Sequence, residues 1–337
     1  MKVLFVSYPH VGLGKGGMYY QIKKTEEALS KIGCVVDYHN FMNTSLDDYK
    51  VCHFFATNSV NTVIIDECKK LNIPVVISTV FNVFSKSSFR NKLDVALSKK
   101  IPGFLSNVKQ LDSSMYLFDA VIGLNKDELL VLKSLFPQVS DKMHLIPNGI
   151  DLKMQSKNIL VEKESNMVLN VGSLCPRKNQ LNLIEAARGA DWQLHLVGPK
   201  DDPNYAEDCL RRINELSNVF YYGELAYGSD ELIDLYSRAK TFCLPSFSEV
   251  QPLTFIEAAQ NNCRIVTGDT IPVQDFLKTN TDFAKAKSSN DIRNKVELSL
   301  LKKSTSKNEL QSQKSWDEIA IDIKSIYKSL ASFDEKS

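Results

Sequence analysis

The most informative segment of this chain reads Pro245-Ser246-Phe247-Ser248-Glu249-Val250-Gln251-Pro252-Leu253-Thr254-Phe255-Ile256-Glu257-Ala258-Ala259. An apolar run at residues 241–244 precedes it and predicts a strand, and its second half predicts a helix over residues 253–260. Glu249 lies in the loop between them, and Glu257 follows eight residues later. A helix that begins near Pro252 places Glu257 about one turn inside it.

The start of this helix is a candidate anion site. Its first free N–H groups belong to Leu253 and Thr254, because Pro252 has no N–H to offer. A carboxylate beside a bound anion would repel it unless the carboxylate binds other groups, such as neighbouring hydroxyls of a sugar. Taken singly, each glutamate has a simpler explanation: Glu249 as a helix cap and Glu257 as a complement to the helix dipole.

Strand and helix patterns alternate on both sides of this stretch, which favours parallel, doubly wound sheets. The predicted strands lie at residues 3–7, 35–39, 51–55, 75–79, 120–124, 143–147, 168–171, 193–197, 219–222, 241–244 and 264–267. The predicted helices lie at residues 20–32, 60–71, 181–188, 205–216, 229–239, 253–260 and 316–330.

The chain of 337 residues exceeds the size at which single cores stop growing, about 250–300 residues, so we expect two domains. A polar stretch at residues 153–166 is the best candidate linker. We therefore predict an N-terminal domain over residues 1–155, a C-terminal domain over 156–314, and a last amphipathic helix within 315–331. That helix could pack on the second domain or return to the first, and its pattern does not choose between them.

Composition excludes several classes of protein. Lys and Arg number 41 against 40 Asp and Glu, so there is no whole-protein basic field for nucleic acid. The seven cysteines are scattered and form no CxxC pair, which indicates reduced core residues in a cytoplasmic protein and no zinc site. The apolar run at residues 3–6 is too short for a signal peptide or a membrane span.

A second cluster opens the C-terminal half. The predicted strand at residues 168–171 runs into Gly172 and Ser173, and a short loop with Arg177 and Lys178 precedes the next helix. Two fixed cations beside a helix N-terminus suit a diphosphate. Solvated loop cations are the ordinary alternative.

A glycine-rich loop follows the first strand. Gly12, Gly14 and Gly17 match GxGxxG, and Asp37 lies 20 residues after Gly17, which is typical of an NAD site. Residues 7–11 separate the strand from the first glycine, however, and the NAD fingerprint turns directly out of its strand. A longer loop that contacts an anion or substrate, with Gly16 and Gly17 at the helix start, is therefore the favoured interpretation.

Taken in order, these motifs resemble the retaining nucleotide-sugar glycosyltransferases of family 4, which have the GT-B fold. Glu249-x7-Glu257 is similar to the family's E-x7-E motif, and Gly16-Gly17 to its first glycine loop. The other matching segments are residues 148–151 (hinge), 172–178 (diphosphate loop), 223–225 (base-side loop) and 315–316 with the helix that follows.

The resemblance implies two Rossmann-like domains that face a central cleft, with the last helix returning to the first domain. It implies sugar transfer from a UDP- or GDP-sugar to a hydroxyl of a glycan or lipid-linked acceptor, with retention of configuration and no metal, in cell-surface polysaccharide or glycoconjugate synthesis. Glu249 and Lys178 would be catalytic. The implied donor-binding residues are Gly16, Gly17, Gly172, Ser173, Arg177, Lys178, Leu253, Thr254 and Glu257.

Three features depart from the family. Ser173 stands where Arg is usual, residues 249–252 lack the usual glycines, and residues 78–82 lack a His, so that Asn82 is the candidate sugar contact. Because of these departures, a nucleotide-sugar-binding protein without activity remains an alternative. An NAD-dependent oxidoreductase, suggested by Gly12, Gly14, Gly17 and Asp37, is another.

Residues 81–110 hold six basic side chains against one acidic one, a net charge of +5, with apolar residues interleaved. Such a stretch can lie on an anionic membrane at the inner face of the cell. An ordinary amphipathic helix explains the pattern about equally well. In the resembled family this region often meets the acceptor.

Overall fold

A computed structural model describes residues 1–13, 16–40, 42, 45–81, 114–156, 161–304, 310 and 313–334. The chain divides into two compact units. The first comprises Met1–Gly149 together with Lys314–Ser337, and the second comprises Ile150–Gln313. The boundary between the two units, after Gly149, therefore lies a few residues before the predicted boundary after residue 155. Among the described residues, no helix is long and apolar enough to cross a membrane.

The first unit is built on a parallel sheet with strand order β2-β1-β3-β4-β5-β6. Its strands are β1 (Lys2–Val6), β2 (Val35–Tyr38), β3 (Val51–Phe55), β4 (Val75–Ser78), β5 (Ala120–Gly123) and β6 (Met143–Leu145). Its first helices are α1 (Gly17–Lys31), α2 (Thr62–Lys70) and α3 (Lys126–Leu135). β3, β4 and β5 are buried along their whole length, because helices cover both faces of a parallel sheet.

The second unit is built on another parallel sheet, with order β9-β8-β7-β10-β11-β12. Its strands are β7 (Glu164–Val171), β8 (Gln193–Val197), β9 (Val219–Tyr221), β10 (Ala239–Leu244), β11 (Arg264–Gly268) and β12 (Thr281–Ala284). Its helices are α4 (Gln180–Ala187), α5 (Pro203–Ile213), α6 (Asp230–Arg238), α7 (Leu253–Gln260) and α8 (Ser289–Leu301). The order reverses between β7 and β10, and ligands of such sheets bind at the carboxyl ends of the strands at this switch point.

The last helix, α9 (Trp316–Asp334), belongs to the first unit and packs on α1. Its stripe of Ile319, Ile323, Ile326 and Tyr327 is buried. The Tyr327 hydroxyl lies 2.5 Å from Nδ1 of His53, whose Nε2 lies 2.9 Å from the Ser78 hydroxyl. Burial lowers the pKa of His53 to about 3, so the ring is neutral at pH 7 and serves as a polar tie between helix and sheet.

One prediction from the pattern was wrong, and three elements were missed. The candidate linker at residues 153–166 overlaps the start of β7, whose exposed residues Ser165 and Asn166 conceal the strand in the sequence. β12, α3 and α8 were not predicted, although α3 contains the apolar run Leu129-Leu130-Val131-Leu132. All eleven predicted strands and all seven predicted helices are present, with ends that differ by a few residues.

Two glycines allow close approaches that fix the chain path. A Cβ on Gly149 would lie 2.5 Å from the backbone nitrogen of Trp316, at the start of α9. Gly198 follows β8 with φ of +148°, and a Cβ there would lie 2.2 Å from the carbonyl oxygen of Gly172. The carboxyl ends of β7 and β8 therefore meet without room for a side chain.

We expect Gly198→Ala to lower the free energy of unfolding of the second unit by about 3 kcal/mol, from backbone strain together with overpacking. Gly189→Ala is the matched control. Gly189 also has positive φ (+69°), but a Cβ there meets nothing within 4 Å, so the loss should be about 1 kcal/mol. Urea unfolding can be followed through buried Trp192 in a Trp316→Phe background, since the chain has two tryptophans. Equal losses in the two variants would contradict the close approach.

Candidate functional site

The switch point of the second sheet gathers the loops that follow β7 and β10. The loop after β7 carries Gly172 and Ser173 and ends in a helical turn, Pro176–Lys178. The loop after β10 carries Glu249 and ends where α7 begins. The structure therefore brings the two clusters found in the sequence to one edge of one sheet.

Glu249 is the centre of this edge. Its Oε1 lies 2.6 Å from Nζ of Lys178 and 2.8 Å from Nη1 of Arg177. The Glu249 side chain is 9% exposed. Burial by itself raises the pKa of Glu249, but Lys178 and Arg177 outweigh burial and hold the pKa below its usual value. Glu249 is therefore an ionised carboxylate shared by two cations.

Backbone contacts fix the two loops against each other. The Phe247 N–H donates to the Arg177 carbonyl over 2.9 Å, and Nη1 of Arg177 donates to the Ser248 carbonyl over 2.9 Å. Arg177 thus holds the loop after β10 through its backbone as well as its side chain.

Asn179 is a positioning residue that sequence reasoning missed. It is buried in a left-handed conformation with φ of +63°, just before α4. Its Nδ2 donates to the carbonyls of Pro245, over 2.9 Å, and Ala286, over 2.7 Å. The signal in the sequence is an Asn directly before a helix, since Asn tolerates positive φ better than other side chains with a Cβ.

The predicted diphosphate loop is ordered by α4. Nε2 of Gln180 donates to the Ser173 carbonyl over 3.0 Å, and the Ser173 hydroxyl lies 3.5 Å from the Asp201 carboxylate. A Cβ on Gly172 would lie 3.6 Å from the Lys178 side chain, an ordinary contact. The backbone after β7 thus runs beside the stem of Lys178.

Helix α7 begins at Leu253, as the sequence predicts, with Pro252 before it and no side chain that caps it. Because the first N–H groups of a helix have no acceptor within it, those of Leu253 and Thr254 are available to an anion. The Thr254 hydroxyl is also buried, and it has no hydrogen-bond partner within the described part of the chain.

Glu257 is not part of the cluster of Glu249, Lys178 and Arg177. It is inside α7, and the Tyr236 hydroxyl on α6 donates to its Oε2 over 2.7 Å. Burial raises the pKa of Glu257 to about 7, while the hydrogen bond from Tyr236 acts in the opposite direction and the charge of Asp151 adds to the rise. Tyr236 is a second residue that sequence reasoning missed, because its partner is distant in the sequence.

The remaining predicted residues lie outside this edge. Gly16 and Gly17 are at the start of α1 in the first unit, and Asn82 and nearly all of the basic stretch at 81–110 lie outside the described residues. Asp37, the candidate NAD ligand, accepts from the Tyr49 hydroxyl over 2.9 Å and lies 3.4 Å from Nζ of Lys2. Its carboxylate therefore already has partners, which disfavours the NAD interpretation.

Comparison with known proteins agrees with this geometry. The family model "Glycosyl transferases group 1" matches residues 153–320, which hold both clusters. Residues 153–320 of this chain are therefore similar to the glycosyltransferase group 1 family. EpsF of Bacillus subtilis (strain 168), which carries a provisional glycosyltransferase name, is 26% identical over 146 residues. That match covers 39% of this chain and 37% of EpsF.

Solved glycosyltransferases share the fold over nearly the whole chain. Sucrose-phosphate synthase from Thermosynechococcus elongatus superimposes with a TM-score of 0.75 at 17% identity, covering 98% of each chain. HepE of Anabaena, solved in complex with UDP, gives a TM-score of 0.71 at 14% identity, covering 98% of this chain and 100% of HepE. The predicted GT-B class with two Rossmann-like domains is confirmed.

The buried carboxyl group of Glu257 predicts an effect of pH on stability. Because the folded state holds the Glu257 proton up to about pH 7 and the unfolded chain releases it near 4.5, stability falls as pH rises through that window. Relative to Glu257→Gln, the wild type should lose about 3 kcal/mol of unfolding free energy between pH 4.5 and 8. Urea unfolding followed through Trp192 measures the difference.

Tyr236→Phe sharpens this test. Removing the hydrogen bond that lowers the pKa of Glu257 should move the midpoint of the same pH dependence upward. A difference between wild type and Glu257→Gln that stays constant across pH would show that Glu257 is not a buried, protonatable group.

Proposed function

We propose that this protein is a retaining glycosyltransferase. It transfers a sugar from a UDP- or GDP-sugar to a hydroxyl of a glycan or lipid-linked acceptor, in the synthesis of a cell-surface polysaccharide or glycoconjugate. One observation carries the proposal. Two cations, Lys178 and Arg177, converge on Glu249 at the switch point of the second sheet, within the segment that matches the glycosyltransferase family.

A nucleotide-sugar donor suits the chemistry of this edge. Lys178, Arg177 and the first N–H groups of α7 offer positive groups to a diphosphate. The carboxylate of Glu249 accepts hydrogen bonds from sugar hydroxyls, and Glu257 is assigned to the ribose hydroxyls. The UDP and UDP-glucose complexes of HepE support a donor of this kind.

In the proposed reaction, the protein orients the donor sugar and stabilises the negative charge of the leaving group. The bond between the anomeric carbon and the diphosphate oxygen breaks, and the acceptor oxygen bonds to the same carbon from the same face. The acceptor proton passes to the departing phosphate oxygen. Lys178 stabilises the negative charge that develops on that oxygen, and Glu249 orients the sugar.

We propose that the reaction needs no metal, because fixed cations and helix N–H groups supply the charge. Within the described ranges, no group of three or more His, Cys, Asp or Glu side chains could hold a metal ion. For the acceptor side, the charge of +5 at residues 81–110 supports contact with an anionic, lipid-linked substrate at the inner face of the membrane.

The experiment is a donor panel of UDP-, GDP- and ADP-sugars with and without EDTA, assayed for donor consumption and for the anomeric configuration of the product by NMR. We expect turnover of one donor class with retention. Lys178→Ala should lower kcat by about 10²- to 10³-fold, by removing charge stabilisation of the leaving group.

Lys278→Ala is the matched control, since Lys278 is an exposed lysine of the same unit that pairs with Asp275 at 2.7 Å. It should leave kcat unchanged. Binding of a donor without turnover would favour the inactive binding protein. An inverted product would contradict retention, and binding of NAD but of no nucleoside diphosphate would contradict the transferase.

A further inference from the structure

The shared carboxylate sets the charge of the cluster. Oε1 of Glu249 lies within 2.8 Å of both cations, so the pair of positive charges is offset by one negative charge. Lys178 is 13% exposed and Glu249 is 9% exposed, while Arg177 is 43% exposed. The carboxylate is therefore held where water screens charge poorly.

Glu249 cannot easily leave this position. The two residues directly before it are bonded to Arg177, through the Phe247 N–H and the Ser248 carbonyl. Asn179 holds the start of the same loop at the Pro245 carbonyl. Any ligand that binds to Lys178 and Arg177 therefore lies next to the Glu249 carboxylate.

We propose that Glu249 determines specificity at the end of the diphosphate, admitting a neutral sugar and rejecting a further phosphate. This inference rests on the proposed function, which places the donor sugar at Glu249. Sugar hydroxyls donate to the carboxylate, whereas the third phosphate of a nucleoside triphosphate is negatively charged and is repelled by it. The protein thereby distinguishes nucleotide sugars from nucleoside triphosphates.

A purely structural Glu249 would behave differently. If it only held Lys178 and Arg177 in place, neutralising it would change the affinities for a diphosphate and a triphosphate by similar factors. If it rejects a third phosphate, neutralising it improves triphosphate binding selectively. The ratio of the two dissociation constants therefore separates the two roles.

The experiment is calorimetric titration of the wild type, Glu249→Gln and Glu215→Gln with UDP and with UTP, in EDTA at constant ionic strength. GDP and GTP replace them if the guanine nucleotide is the one bound. Glu215→Gln is the matched control, because it removes one negative charge from an exposed glutamate that pairs with Arg188 at 3.0 Å.

We expect the wild type and Glu215→Gln to bind UDP at least 10-fold more tightly than UTP, and Glu249→Gln to reduce that ratio by 10-fold or more. Glu249→Ser gives the same comparison if the glutamine variant fails to fold. An unchanged ratio in the folded variants overturns the inference and leaves the proposed function standing. If the wild type binds neither UDP nor GDP, the proposed function fails and the inference fails with it.

Discussion

One carboxylate oxygen organises the second unit's site. Oε1 of Glu249 accepts from Lys178 and Arg177, and this contact joins loops that follow two strands lying far apart in the sequence. Removing Lys178 or Glu249, the two nearly buried members of the cluster, costs several kcal/mol, because the remaining charge is left without compensation. Buried Asn179 ties these two loops together by donating to the Pro245 carbonyl, and Gly198 lets the end of β8 approach the loop after β7.

Much of this arrangement was predictable from the sequence. Alternating apolar runs predict the two parallel sheets, because a strand buried on both faces reads as a short continuous apolar segment. The position of Glu249 after β10 and of Lys178 after β7 follows from topology, since the carboxyl ends of parallel strands share one edge. The start of α7 at Leu253, where we propose the anion site, follows from the proline before it.

Other features depend on contacts that spacing does not encode. Tyr236 and Glu257 lie on different helices, and their hydrogen bond follows from the packing of α6 against α7. In the first unit, α9 buries its apolar stripe and pairs Tyr327 with His53, and the amphipathic pattern of α9 does not reveal which unit receives that stripe. The start of β7 was obscured because its first residues are polar and Ser165 and Asn166 are exposed, so this part of the strand has the pattern of a linker.

The most direct test of the central claim is a crystal structure of this chain with the nucleoside diphosphate it binds. We predict the diphosphate on Lys178 and Arg177, with its outer end beside Glu249 and its inner oxygens at the N–H groups of Leu253 and Thr254. A nucleotide bound away from the carboxyl ends of β7 and β10 would contradict the assignment of this edge as the donor site.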